Sequence, residues 1–139
     1  MEIILNTGLD SLEFGDGTEK AIAIFGQPDN TEIIDEAEID WTLIHNYPET
    51  GLAIMFDGRE KPAFFSCDCT SEDLVLAGKK IIGLPQQDII ALMHDLGYDN
   101  PETEDENWGE KRVSFELAGI DFYFEEDELV AVSWGKEFE

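Results

Sequence analysis

The sequence predicts an α+β fold: two tandem helix-plus-three-strand repeats forming one antiparallel sheet, with both helices on one face. Three observations predict it. Phe115, Gly119 and Phe124 each stand 68 positions after Tyr47, Gly51 and Phe56, and Gly97 and Trp108 answer in order to Gly26 and Trp41. Self-similarity of this kind marks a unit written twice. Each copy also holds one stretch of helical apolar spacing that stops at a glycine. Each then carries apolar residues at alternate positions, the period of a strand with one covered face. A length of 139 residues suits a single domain. One compact domain over 1–139 is therefore expected, with repeats at about 1–68 and 69–139.

The first fifteen residues, with Ile3, Ile4, Leu5, Leu9, Leu12 and Phe14 around Gly8, read as a short extended leader, and 75–82 repeats the outline. Gly15-Asp16-Gly17-Thr18 is turn chemistry, and Thr18 is a suitable N-cap for a helix over about 19–25. Its apolar face is Ala21, Ile22 and Phe25, and Gly26 stops it before Pro28. Residues 29–40 form an acidic loop. A strand over 41–47 follows, with Leu43, His45 and Tyr47 on one side, then a Gly-led strand in which Leu52, Ile54 and Phe56 alternate with Ala53 and Met55. Asp57-Gly58 is a hairpin turn, and a third strand spans about 62–67. In the second copy Pro85 opens a helix whose apolar positions are Ile89, Ile90, Leu92, Met93 and Leu96. Asp99 to Glu106 is the second acidic loop. Strands then run from Trp108 to Leu117, over 120–124 and from Leu129 to Trp134.

Thirty-three acidic against eight basic residues give a formal charge of −25. Such a field repels nucleic acid and anionic membrane and attracts basic proteins. It also serves solubility, and both readings stay open at this point. No stretch approaches the length of an apolar membrane span. Met1 to Asn6 has neither a basic start nor a long apolar run, so no secretory leader and a cytoplasmic location are expected. Cys67 and Cys69 are one residue apart, a strained spacing for a disulfide, and read as reduced thiols.

No phosphate loop, nucleophile elbow or metal-ligand spacing is present, so an enzyme and a cofactor are not expected. His94 sits late in a helix, where a cation suits the dipole, and His45 falls among core positions. The run 99–110 has the length of a calcium loop, yet its third, fifth and sixth places hold Pro101, Thr103 and Glu104 rather than acids and glycine. Partner contact is expected instead from residues that alternation turns away from the helices: Met55, Trp108, Arg112, Ser114, Asp121 and Tyr123. Exposed tyrosine and methionine among acids suit a contact surface. Asp35, Glu36, Glu38, Glu104, Asp105 and Glu106, in the acidic loops, are expected to steer the partner electrostatically.

The order of helix, glycine stop, acidic loop and meander is carried by Gly26, Trp41, Tyr47, Gly51 and Phe56 and by Gly97, Trp108, Phe115, Gly119 and Phe124. It resembles the β-lactamase-inhibitory-protein-like architecture over about Ile4 to Trp134. The resemblance implies protein binding through the concave sheet face. Similar small acidic proteins often act as bacterial toxin-immunity proteins, which implies a toxin domain as the basic partner. The chain departs from the secreted inhibitors in lacking a leader and paired disulfides. The expected function is therefore non-catalytic occlusion of a basic protein. A small-molecule or calcium-binding module using the acidic loops is the alternative.

Overall fold

Strand, not helix, dominates the structure, a computed structural model that describes residues 1–36, 40–58, 60–105 and 109–136. Thirteen strands among these residues form two sheets. In chain order they are β1 (Glu2–Ile4), β2 (Gly8–Leu9), β3 (Leu12–Glu13), β4 (Asn30–Glu36), β5 (Asp40–Tyr47), β6 (Leu52–Asp57), β7 (Ala63–Cys69), β8 (Val75–Leu76), β9 (Lys79–Lys80), β10 (Glu102–Asp105), β11 (Glu110–Phe115), β12 (Ile120–Glu125) and β13 (Glu128–Gly135). The large sheet is antiparallel throughout, in the order β10-β11-β12-β13-β7-β6-β5-β4. The small one is ordered β3-β2-β1-β8-β9, with β1 and β8 parallel. Two helices, α1 (Thr18–Phe25) and α2 (Gln86–Asp95), complete the regular structure with a 3-10 turn at Glu116–Ala118.

This overturns the expectation of an α+β tandem repeat on a single sheet. The fold is mostly sheet, in two sheets of five and eight strands. Two misreadings account for the difference. The stretches taken as acidic loops contain the strands β4 and β10, which form the two edges of the large sheet. Their charge lowers strand propensity, yet charge is what edge strands carry to discourage further pairing. The stretches taken as leaders pair with each other and build the small sheet.

The core lies between the large sheet on one side and the helices and small sheet on the other. Leu52, Ile54 and Phe56 from β6, Val113 and Phe115 from β11, Ile120, Phe122 and Phe124 from β12, and Val132 and Trp134 from β13 all point into it. Ala21 of α1, Ile89 and Met93 of α2, and Leu9, Leu12 and Leu76 of the small sheet meet them there. The layers are also tied by hydrogen bonds. Trp134 Nε1 donates to the Gly8 carbonyl at 3.0 Å, and Phe64 exchanges backbone bonds with Gly15 and Asp16.

Some local expectations change. Gly17, not Thr18, caps α1, with no side-chain cap bond. Pro85 is the cap residue of α2 rather than its first helical residue. Leu117 leaves the strand for the 3-10 turn and is 86% exposed. Trp41 is half-buried. The two cysteines are reduced and buried. Burial pushes the Cys67 thiol well up and Cys69 up as well, which makes both poor nucleophiles.

Candidate functional site

The surface that can serve function is the other face of the large sheet. Strand alternation turns inward one residue and outward the next. In β12 the buried Ile120, Phe122 and Phe124 thereby leave Asp121 and Tyr123 on the outer face. In β11 Val113 and Phe115 leave Arg112 and Ser114, and in β6 the inward triad leaves Ala53 and Met55. Pairing registers then set these residues in rows.

One row crosses all eight strands: Glu102, Ser114, Asp121, Ser133, Asp68, Ala53, Asn46 and Asn30. The end of this row is visible as a hydrogen bond from Asn46 Nδ2 to Asn30 Oδ1 at 2.8 Å. Asp121 and Asp68 flank Ser133 from neighbouring strands, so these carboxylates stand roughly 10 Å apart. A second row holds Glu104, Arg112, Tyr123 and Ala131. Arg112 forms an ion pair with Glu104. Burial raises the Tyr123 pKa above its ordinary value, the Asp121 and Asp68 charges add to the rise, and Arg112 opposes it. Five side chains from four strands thus share one electrostatic neighbourhood.

Two β-bulges shape this face. The β6–β7 register shifts between Met55 and Phe56, and the β12–β13 register between Tyr123 and Phe124. The extra residues are Phe65 and Val130, and bulges of this kind re-aim side chains locally. Phe65 and Ser66 line an open cavity of about 570 Å³ with Asp121, Ser133, Glu116 and Lys136. The cavity reaches the polar row where β12, β13 and β7 meet.

Five of the residues expected to contact a partner therefore share this face: Arg112, Ser114, Asp121 and Tyr123 as a cluster, and Met55 farther across, opposite Ser66 and Ile44. Trp108 lies outside the described residues, as do Glu38 and Glu106. The residues expected to steer from loops are on edge strands. Glu104 is on the outer face, whereas Asp35 pairs with Trp41 and Asp105 with Lys111, on the side of the covered face. Glu36 ends β4. Sequence reasoning missed Asp68 and Ser133. Asp68 sits between two inward cysteines and Ser133 between Val132 and Trp134, so alternation alone would have turned both outward.

The face offers carboxylates, hydroxyls and a tyrosine, a set that accepts and donates hydrogen bonds and favours cationic groups. Among the described residues no group of three or more histidine, cysteine or acidic side chains is gathered as a metal would need. His94, in the last turn of α2, is paired with Asp99 on the protein surface.

No family model matches the chain, and no curated protein matches it. A solved structure is similar. It is an extracellular protein containing a SCP domain from Bacillus anthracis str. Ames, with a TM-score of 0.52 and 15% identity, over 92% of this chain and 47% of that one. The chain thus spans about half the length of that protein, and at this identity the likeness concerns the fold alone. No helix among the described residues is long and apolar enough to cross a membrane.

Proposed function

We propose that this chain is a non-catalytic binding protein that seats a basic protein partner on the outer face of its large sheet. The observation that carries the reading is the uncovered polar row, with Asp68, Ser133 and Asp121 in register beside Tyr123 and Arg112. Every such residue is held from below by a strand whose alternate side chains are locked in the core, so the surface is pre-organised and loses little entropy on binding. Tyr123 supplies a rigid, half-buried contact of the kind that anchors interfaces. The carboxylates complement lysine and arginine of the partner, and the cavity beside Asp121 and Glu116 has room for one such side chain. A bacterial toxin domain, the partner implied by the resemblance to inhibitory and immunity proteins, fits this chemistry.

Site-specific photocrosslinking in the cell that expresses the chain tests the reading. A photoreactive phenylalanine at Tyr123 is expected to give a discrete adduct with a basic protein. The same group at Gln87, exposed on α2, is expected to give none. Equal adducts from both positions, or none from Tyr123, would overturn the assignment.

A further inference from the structure

The two edges of the large sheet are built differently. Edge β10 is four residues long, reads Glu-Thr-Glu-Asp, and is exposed at every position. It carries no apolar side chain, and Glu104 is occupied by Arg112. Short length and charge are the usual devices that keep an edge from pairing with another chain. Edge β4 is not short, and its acids Glu32, Asp35 and Glu36 surround an apolar centre that β10 lacks. It runs for seven residues, Asn30–Glu36, and pairs through its whole length with β5 on one side. No strand pairs with its other side among the described residues.

Its two central residues are also apolar and out in solvent, Ile33 at 60% and Ile34 at 42% exposure. They point to opposite faces. Ile33 stands opposite Leu43, which is opposite core residue Phe56, so it extends the covered face beyond its last sheltered row. Ile34 stands opposite Thr42 on the outer face. A strand laid along β4 would thus gain main-chain hydrogen bonds and an apolar contact on each side of the sheet.

We infer that β4 is a strand-addition site, and that its occupant is an extended, basic segment of another protein bearing two adjacent apolar residues flanked by lysine or arginine. The flanks follow from Glu32 and Asp35, which bracket the isoleucines. Opposite charges facing each other across a strand pair are favourable, and like charges are not. The same rule disfavours a second copy of this chain. An antiparallel self-pair that sets Ile33 against Ile34 also sets Glu32 against Asp35, and the alternative that sets Ile33 against itself leaves Glu32 against Ile34. Each copy moreover carries a formal charge of −25. Strand addition draws affinity from the backbone and specificity from alternate side chains. The site lies five strands from the Asp121–Tyr123 cluster, and it stands whether or not that cluster binds.

The probe is a synthetic seven-residue peptide, Lys-Lys-Val-Ile-Lys-Thr-Thr, beside the same peptide N-methylated at alternate residues. Methylation keeps charge and composition but removes ladder donors. The plain peptide is expected to bind and to protect amides within 30–36 from hydrogen exchange, and the methylated one to bind at least about tenfold more weakly. An Ile33→Asp/Ile34→Asp variant is expected to lose binding to a similar degree, while Tyr123→Ala/Asp121→Asn keeps it. Equal binding of the two peptides would show charge alone at work and sink the proposal. Loss in the Tyr123 variant but not the isoleucine variant would move the site to the outer face. Sedimentation as a dimer that the isoleucine variant abolishes would replace the basic segment with a second copy.

Discussion

His45 is 4% exposed, lies 4.8 Å from the Phe56 ring between centroids, and its Nδ1 has no hydrogen-bond partner among the described residues. Burial lowers its pKa below the ordinary value. As pH falls through about 6.5 the unfolded chain takes up a proton that the folded chain still refuses, so stability declines with acid in that window. His94 acts in the opposite sense: its hydrogen bond to Asp99 raises its pKa, so its contribution is present below about pH 6.5 and is lost as pH rises through the folded value. Comparing His45→Leu with the native chain cancels His94. The melting-temperature difference is expected to move in favour of the variant between about pH 7.5 and about pH 5.5. A difference that stays constant with pH would remove His45 as the acid-sensitive group. Sequence had placed this histidine among core positions correctly, because Leu43 and Tyr47 share its parity. Nothing in the sequence shows that the neighbours within reach are a phenylalanine ring and aliphatic strands.

At the scale of elements, alternation was legible and pairing was not. The period of two along 110–115 and 120–125 is enough to set Arg112, Ser114, Asp121 and Tyr123 on one face. Ser133 joins them through the β12–β13 hairpin, but Asp68 joins only through the β7–β13 pairing, and no local signal announces that β13 lies beside β7. The acidic edges were hidden for a different reason. Glu-Thr-Glu-Asp has neither apolar alternation nor β-branched density, and it becomes a strand because β11 offers it a ladder. The turn between β11 and β12 is more transparent. Gly119 has φ +62°, and a Cβ there would stand 2.4 Å from the Gly135 carbonyl oxygen. Gly119→Ala is therefore expected to cost about 2–3 kcal/mol, from left-handed strain plus displacement of the β13 end. Urea unfolding should show this as a lower midpoint at unchanged slope. An unchanged midpoint would mean that β13 yields without cost.

For the molecule as a whole, charge is the dominant variable. A net −25 over 139 residues surrounds the chain with a field that draws in cationic proteins, and salt shortens its reach to less than the width of the sheet. For the bound basic partner, raising salt to about 300 mM is expected to cut the association rate by at least about tenfold and to change dissociation by less than about twofold. Stopped-flow measurement at the two salts checks this, and equal association rates would leave the acidity with solubility alone. The paired arrangement of the sheets has a further consequence during synthesis. β1 waits for β8, which lies beyond residue 74, and β7 waits for β13, whose first residue is Glu128. While the ribosome makes the intervening stretch, β7 presents Phe64, Phe65 and both cysteines along an open ladder. A nascent chain in that state is prone to pair with whatever strand it meets. The acidic stretch 29–40, made well before β7, then repels unfinished copies on neighbouring ribosomes until the last strand arrives.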